Sequence, residues 1–511
     1  MIWLLILVVL AYYSYRVLYA QNHVHEATRH PHRAALPKIK PVQVPVTTTL
    51  SPRDEIARTV ESLDWCNEIT RICWPHIGKI VESHLAPTIE PLINLYLPKP
   101  FSKFKFMSAS LGKDPLRVDR VTVHRRYKNS IALDLDVSFI GSPNMSMKCA
   151  PFHAPFGVKE LKWRGRLSVL LRPLIPTLPL VGAVQAAMIT HPEVDMDFTG
   201  VADFADFGPV EKIVRKVLRN VIASMLVLPN RFIYKLSDTI DYFDVYYPPA
   251  GVIAIVIEKG RGFTIEKKLG MIKQVPDLYC KATFGLEDMK TDVRMNNLSP
   301  EWNSLKLFIL SDYEQPFELK CYDKDTVTRD DLVGSLSLTA KELLTTGPKW
   351  VPLGDTDDRI AKHGEIFVGA QLYKLQDPKL PVRGYCLLSI LINRATNLPP
   401  ETKEVACKVW VGTKLLFETP EITKPSEPLH GIDPTNPEWN FHYDVLCDDT
   451  SETSIAIHVV ERKKTLGRLT FRPDDLISVQ DKTIEGKFSI GNGAELRVKV
   501  MLRGLAEDSI A

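Results

Sequence analysis

No CxxC pair occurs among the eight cysteines of this 511-residue chain. Cys66, Cys73, Cys149, Cys280, Cys321, Cys386, Cys407 and Cys447 are scattered. That spacing offers neither a zinc cage nor a dense disulfide framework, and it points to free buried thiols in a reducing compartment. Cys66 and Cys73 share one face of an expected helix and read as packing. The chain also lacks a large charge of one sign. Its 64 Lys and Arg stand against 61 Asp and Glu, a net of +3, so no global field draws it to nucleic acid. It has no GxSxG, no His/Cys ligand spacing and no phosphate-cradling glycine loop, so no enzyme is expected.

What is present is globular in composition and long enough for about three domains. Ile131-Ala-Leu-Asp-Leu-Asp-Val-Ser-Phe139 alternates apolar and polar residues without a break, the period of a strand with one apolar and one wet face. Lys162–Leu171 and the alternating Val194, Met196 and Phe198 give two more strands. Val210–Leu228 follows at helical spacing, with Pro209 suited to its first turn. Periodicity leaves open whether these apolar faces close on each other or around a guest. Glu55–Leu97 is helical in pattern, with kinks or breaks expected at Pro75, Pro87 and Pro91. Trp65, Ile69, Ile72, Ile77, Ile80 and Leu85 are its expected buried side. Pro173-Leu-Ile-Pro-Thr-Leu-Pro179 lies between strands and reads as a rigid connection, not as a ligand for a proline-binding module.

Several separated motifs agree in order: Trp65-Cys-Asn-Glu-Ile, Trp74-Pro-His-Ile, Leu171-Arg-Pro-Leu-Ile-Pro176, His191-Pro-Glu-Val-Asp-Met-Asp-Phe198 and Met225-Leu-Val-Leu-Pro-Asn230. Over most of Glu61–Leu236 the chain thereby resembles the SMP (synaptotagmin-like, mitochondrial, lipid-binding) domain of the extended synaptotagmin, tricalbin and plant synaptotagmin family. The resemblance implies a TULIP-like half-tube of strands and helices that holds glycerolipid acyl chains and pairs end to end as a homodimer. Leu133, Leu135, Val137, Leu167, Val169 and Leu171, with Ile222 and Met225 of the helix, are then the expected groove wall.

Ahead of this domain, Met1–Ala20 is an apolar run just long enough to cross a bilayer, which takes about 20 residues. Arg16 lies near its end, and Tyr12, Tyr13, Tyr15 and Tyr19 suit an interfacial belt. The following residues Arg29, Arg33, Lys38 and Lys40 are positive, which places the bulk of the protein in the cytosol. A cleaved signal peptide is the rival reading, and it lacks the usual charged start. The linker to about residue 57 holds His23, His25, His30 and His32 and several prolines and reads as a polar spacer.

Beyond Tyr246-Tyr-Pro-Pro-Ala-Gly251 the chain repeats itself. Pro300-Glu-Trp-Asn303 recurs as Pro437-Glu-Trp-Asn440, and the interval Gly251–Gly334 equals Gly384–Gly467. Two all-β units of similar size follow. The first, with Tyr322-Asp-Lys-Asp-Thr-Val-Thr-Arg-Asp-Asp-Leu-Val-Gly334, resembles a C2 domain closely; the second resembles a weaker one. The whole is thus multidomain, α+β and all-β. Its expected parts are a transmembrane anchor over 1–20, a linker over 21–57, an SMP domain over 58–245 and C2 β-sandwiches over 250–375 and 384–505.

Asp323, Asp325, Asp330 and Asp331 crowd one loop of the first C2-like unit. Like charges so close call for a cation or solvent, and hard oxygens at this density suit Ca²⁺. The resemblance implies Asp277, Asp323, Asp325 and Asp331 as ligands, with Glu266 where the family has aspartate. Leu269, Met271, Ile272 and Val327 fall on the same loop tips as expected membrane contacts. In the second unit the matching loop, Val460-Glu-Arg-Lys-Lys-Thr-Leu-Gly467, holds one carboxylate beside Arg462, Lys463 and Lys464. Basic residues repel Ca²⁺ and meet anionic head groups directly. The expected partners are phospholipids and other glycerolipids, an endoplasmic reticulum membrane that holds the chain and an anionic plasma membrane facing it. Two function classes remain: a lipid carrier and tether at contacts between those membranes, or a structural tether whose central domain is a closed core.

Overall fold

The computed structural model describes residues 63–96, 102–124, 129–150, 155–199, 215, 222, 226–228, 230–237, 239–264, 266–268, 272–325, 330–354, 364–382, 384–419, 421–423, 433–447 and 454–507. The expected anchor and linker lie outside these residues. Among the described residues no helix is long and apolar enough to cross a membrane.

The first domain opens with α1 (Asp64–Tyr96), which continues through Pro75, Pro87 and Pro91 without a break. Its buried face matches the expected one only at Ile77. Cys66, Thr70, Trp74 and Ile77 are buried, whereas Trp65, Ile69 and Ile72 stand 62%, 40% and 62% exposed. Polar groups choose the face. The Asn67 side chain donates to the Val118 carbonyl at 3.1 Å and accepts the Val118 N–H at 2.8 Å, and the Trp74 indole donates to the Gly112 carbonyl at 3.1 Å. Hydrophobic spacing cannot see such bonds. Of Ile80 and Leu85 the side chains lie outside the description.

A sheet then forms from β1 (Ser102–Ser110), β2 (Arg117–His124), β3 (Ile131–Gly141), β4 (Asn144–Ala150), β5 (Phe156–Leu171), β6 (Ala183–Met188), β7 (Glu193–Thr199) and β8 (Phe232–Lys235). Its order is β1-β4-β5-β3-β2, all antiparallel. The long β5 is the spine. One edge pairs with β3 from Leu161 to Leu171; the other takes β7 on its first half and β6 on its second, and β8 pairs β6. Alternation puts Leu133, Leu135 and Val137 on one face. The opposite face is less wet than the pattern suggests: Asp134 is 7% exposed and meets His124 Nε2 at 2.8 Å.

The first C2 sandwich comprises β9 (Gly251–Arg261), β10 (Leu278–Phe284), β11 (Glu287–Lys290), β12 (Glu301–Leu310), β13 (Pro316–Asp323), β14 (Asp331–Thr339) and β15 (Glu365–Leu375). The second comprises β16 (Cys386–Thr396), β17 (Glu404–Val411), β18 (Glu438–Cys447), β19 (Ile455–Glu461), β20 (Lys464–Phe471), β21 (Thr483–Gly491) and β22 (Ala494–Glu507). The repeated Pro-Glu-Trp-Asn has a structural reason. Trp302 and Trp439 are buried in the two cores, and Asn303 and Asn440 take left-handed φ values of 47° and 49° where each strand's register shifts. Asparagine tolerates that conformation at a bulge better than most residues.

The two sandwiches share a sheet. Tyr373, Lys374 and Leu375 of β15 pair with Glu507, Ala506 and Leu505 of β22, giving the order β12-β9-β15-β22-β16-β18. The first domain leaves through α2 (Tyr242–Val245), which docks on the second sandwich. Tyr242, Phe243, Val245 and Tyr246 pack with Ala183 and Ile233 on one side and Leu391 and Met501 on the other. The Tyr246 hydroxyl lies 3.0 Å from Ser389 Oγ and donates to Asp444 at 2.7 Å, the Tyr242 hydroxyl meets His442 Nδ1 at 3.2 Å, and Asp241 pairs with Arg497.

Candidate functional site

The strand and helix residues singled out by periodicity converge. Leu135, Val137, Leu167, Val169 and Leu171 are buried in one apolar cluster, with Leu133 and Ile222 packed against it; Met225 lies outside the described residues. The cluster is wider than the pattern revealed. Cys66 of α1, Val118 of β2, Val184, Ala186 and Met188 of β6, Val227 and Phe232 complete it. β6 carries little polar contrast along its length, so alternation gave no signal there. Val169, Ala186 and Met188 have no exposed surface.

The candidate carboxylates of the first C2 unit stand at or just beyond the ends of β10, β13 and β14. Asp323 lies opposite Leu278 on one side and Asp331 on the other. The Asp277 N–H donates to Asp323 Oδ1 at 2.7 Å, and Asp277 Oδ1 accepts the Asn296 N–H at 2.7 Å. The backbone amide of Lys324 bonds to the Asp277 carbonyl at 2.9 Å. These bonds tie the loop of Asp277 to the loop of Asp323. Asp330 points elsewhere. Its Oδ2 accepts the Tyr279 hydroxyl at 2.5 Å and its Oδ1 accepts the Asp325 N–H at 3.3 Å. The Tyr279 hydroxyl bond, with the Asp325 amide and with Lys281 and Lys290, lowers the Asp330 carboxyl below its ordinary value. Burial and that same carboxylate raise the Tyr279 hydroxyl.

Among the described residues no three acidic, His or Cys side chains gather closely enough to hold a metal. The donor chemistry nevertheless fits Ca²⁺: Asp277, Asp323, Asp325 and Asp331 supply hard anionic oxygens from neighbouring strand ends. Of Glu266 only the backbone is described, in a short hairpin, Glu266–Lys268 against Ile272–Gln274. Ile272 stands on the same hairpin with its side chain undescribed, and Leu269, Met271 and Val327 lie outside the described residues.

The matching loop of the second C2 unit is much tighter. Glu461 and Lys464 pair across the strands, leaving Arg462 and Lys463 as a two-residue turn, with Arg462 at φ 51°. Arg462, Lys463 and Lys464 are exposed, and Arg462 pairs with Glu404. Glu461 is used structurally, accepting the Lys403 N–H at 2.9 Å.

Comparison with known proteins agrees with this architecture. The synaptotagmin-like mitochondrial-lipid-binding domain family matches residues 59–237, and the C2 domain family matches residues 251–353 and 386–489. The protein is therefore one that joins an SMP domain to two C2 domains. Extended synaptotagmin-1 of Pongo abelii is 28% identical over 478 residues, covering 88% of this chain and 42% of its own length. Extended synaptotagmin-2 of Mus musculus is 26% identical over 480 residues, covering 87% and 55%. The chain is similar to these extended synaptotagmins and spans about half of their length. The solved structure of the SMP domain and two C2 domains of extended synaptotagmin 2 shares its fold, with a TM-score of 0.61 at 24% identity, over 88% of this chain and all of that one.

Proposed function

We propose that the chain carries glycerolipid in its SMP domain and bridges an endoplasmic reticulum membrane, which residues 1–20 enter, to an anionic plasma membrane touched by its C2 units. The observation that carries the reading is the convergence of Leu133, Leu135, Val137, Leu167, Val169, Leu171 and Ile222 on one apolar cluster within a domain of lipid-binding type. Each acyl CH₂ buried against such a wall gains roughly 0.8 kcal/mol, so a long apolar surface suffices for binding. The complete burial of Val169, Ala186 and Met188 favours the second reading, a closed core in a purely structural tether. Phospholipid recovered from the purified chain by native mass spectrometry separates the two. Tryptophan at both Leu133 and Leu167 is expected to remove most of that lipid while the far-ultraviolet circular dichroism stays unchanged. Undiminished lipid in the folded variant counts against the carrier.

In this reading Asp277, Asp323, Asp325 and Asp331, with Glu266, hold Ca²⁺ in the first C2 unit. Bound there, the ion supplies positive charge and open coordination positions for lipid phosphate. The second unit needs none, because Lys463 and Lys464 already present the sign that anionic lipid attracts. Pairing of two copies end to end through the SMP domain belongs to the same proposal.

A further inference from the structure

Between β5 and β6 the chain projects a hairpin with no charged residue between Arg172 and Ala183. Its rungs are regular. The Arg172 N–H donates to the Ala183 carbonyl at 2.9 Å, Gly182 to Pro173 at 2.7 Å and Ile175 to Leu180 at 2.9 Å; the Leu180 N–H closes the turn on Thr177 at 2.7 Å, and Leu174 bonds to Asn129 at 3.1 Å. The turn is apolar and open. Leu178 is 88% exposed and Leu180 55% exposed. Leu180 is held at φ 71°, a left-handed conformation that glycine or asparagine adopts more cheaply. Neither solvation nor turn geometry accounts for leucine at both positions.

We infer that this hairpin enters the interfacial layer of an anionic phospholipid bilayer and sets the end of the SMP domain against it. Three features point to lipid. First, the backbone is prepared for a place without water. Pro173, Pro176 and Pro179 have no N–H, and the amides of Leu174, Ile175, Leu180 and Gly182 are bonded within the protein, so few donors lose hydrogen bonds on entry. Second, the hairpin extends the proposed lipid site. Leu171 and Val184 at its base lie in the apolar cluster, with Val181 packed on it. Third, the base is positive. Arg172 and Arg231 stand over the Tyr247 ring at 5.7 and 5.4 Å from its centre. An apolar tip above cationic residues matches acyl chains beneath anionic head groups. The hairpin's purpose rests on the lipid-carrier reading; its chemistry does not.

The test places an environment-sensitive nitrobenzoxadiazole label at Thr177→Cys, beside both leucines, in the full chain reconstituted with phosphatidylcholine–phosphatidylserine vesicles. Most native cysteines are buried, and the parent chain labelled in parallel gives the background. The label's emission is expected to shift to the blue and to be quenched by nitroxide-bearing lipid, while a label at the exposed Thr413→Cys shows neither. Leu178→Asp with Leu180→Asp abolishes both signals. Unshifted emission at position 177 in vesicles overturns the inference. So does a blue shift without nitroxide quenching, which would mean that protein, such as a second copy, covers the tip. Bound phospholipid measured on the same samples keeps the two ideas apart: loss of lipid with the shift retained sinks the carrier reading alone.

Discussion

At Tyr246 a single hydroxyl joins two domains. It is buried, and burial together with the Asp444 carboxylate keeps it protonated far past neutrality, so it stays a donor. Tyr246→Phe is expected to lower stability by about 1 kcal/mol, the usual net worth of such a bond, read from denaturant unfolding. His442 beside it is half-buried. Burial, aided by Arg231 and opposed by Asp444, holds its pKa below the ordinary 6.5. A histidine depressed in the folded state loses stability as pH falls below its unfolded value. Asp241 works in the same direction further down. Burial pushes it up, but Arg497 and the Phe243 amide pull it net below 3.8, so its contribution disappears as pH falls through that lower value. The docking of α2 on the second C2 unit should therefore weaken between pH 7 and pH 5.5, seen as faster amide exchange over Asp241–Tyr247, and His442→Gln should flatten that window. None of this was legible in the sequence, because Tyr242 and His442 meet across two hundred positions. The exposed Trp65 and the buried Asp134 were misplaced for the same reason: hydrophobic period shows which face is apolar, and polar partners decide which is covered.

At the scale of the element, alternation was a faithful guide where one face was polar. It located β3, β5 and β7 and brought six groove candidates to one cluster, joined by Ile222 from the helical pattern. It was silent on β6, whose Ala-Val-Gln-Ala-Ala-Met is buried throughout. The third loops of the two C2 units show how spacing sets chemistry. Asp323 and Asp331 face each other across a long loop, whereas Glu461 and Lys464 face each other across a two-residue turn with no room for a ligand ring. Asp323→Asn with Asp325→Asn removes two anionic donors and is expected to abolish Ca²⁺-dependent liposome co-sedimentation. Binding through Lys463 and Lys464 should be untouched, and reversing both to glutamate should remove it in the absence of Ca²⁺. Residual Ca²⁺-dependent binding in the aspartate double variant would place the ion elsewhere.

For the whole molecule, the repeats and the motif order made the three-part layout readable in advance; the joints between the parts were not. The sandwiches share a sheet through β15 and β22, and Leu286, at the turn between β10 and β11, packs against the SMP cluster. Gly285 permits that approach: it sits at φ 60°, and a Cβ there would come within 3.2 Å of the Leu228 carbonyl oxygen. Such joints need long-range pairing that no local pattern encodes. They also place the apolar cluster and the carboxylate-bearing strand ends of the first sandwich in one connected body, which the carrier reading requires. That reading stands on one fact to be measured, the content of the SMP cluster. Native mass spectrometry of the purified chain should find phospholipid bound in stoichiometric amount, depleted by tryptophan at Leu133 and Leu167. A lipid-free chain that also fails to acquire phospholipid from vesicles would contradict it.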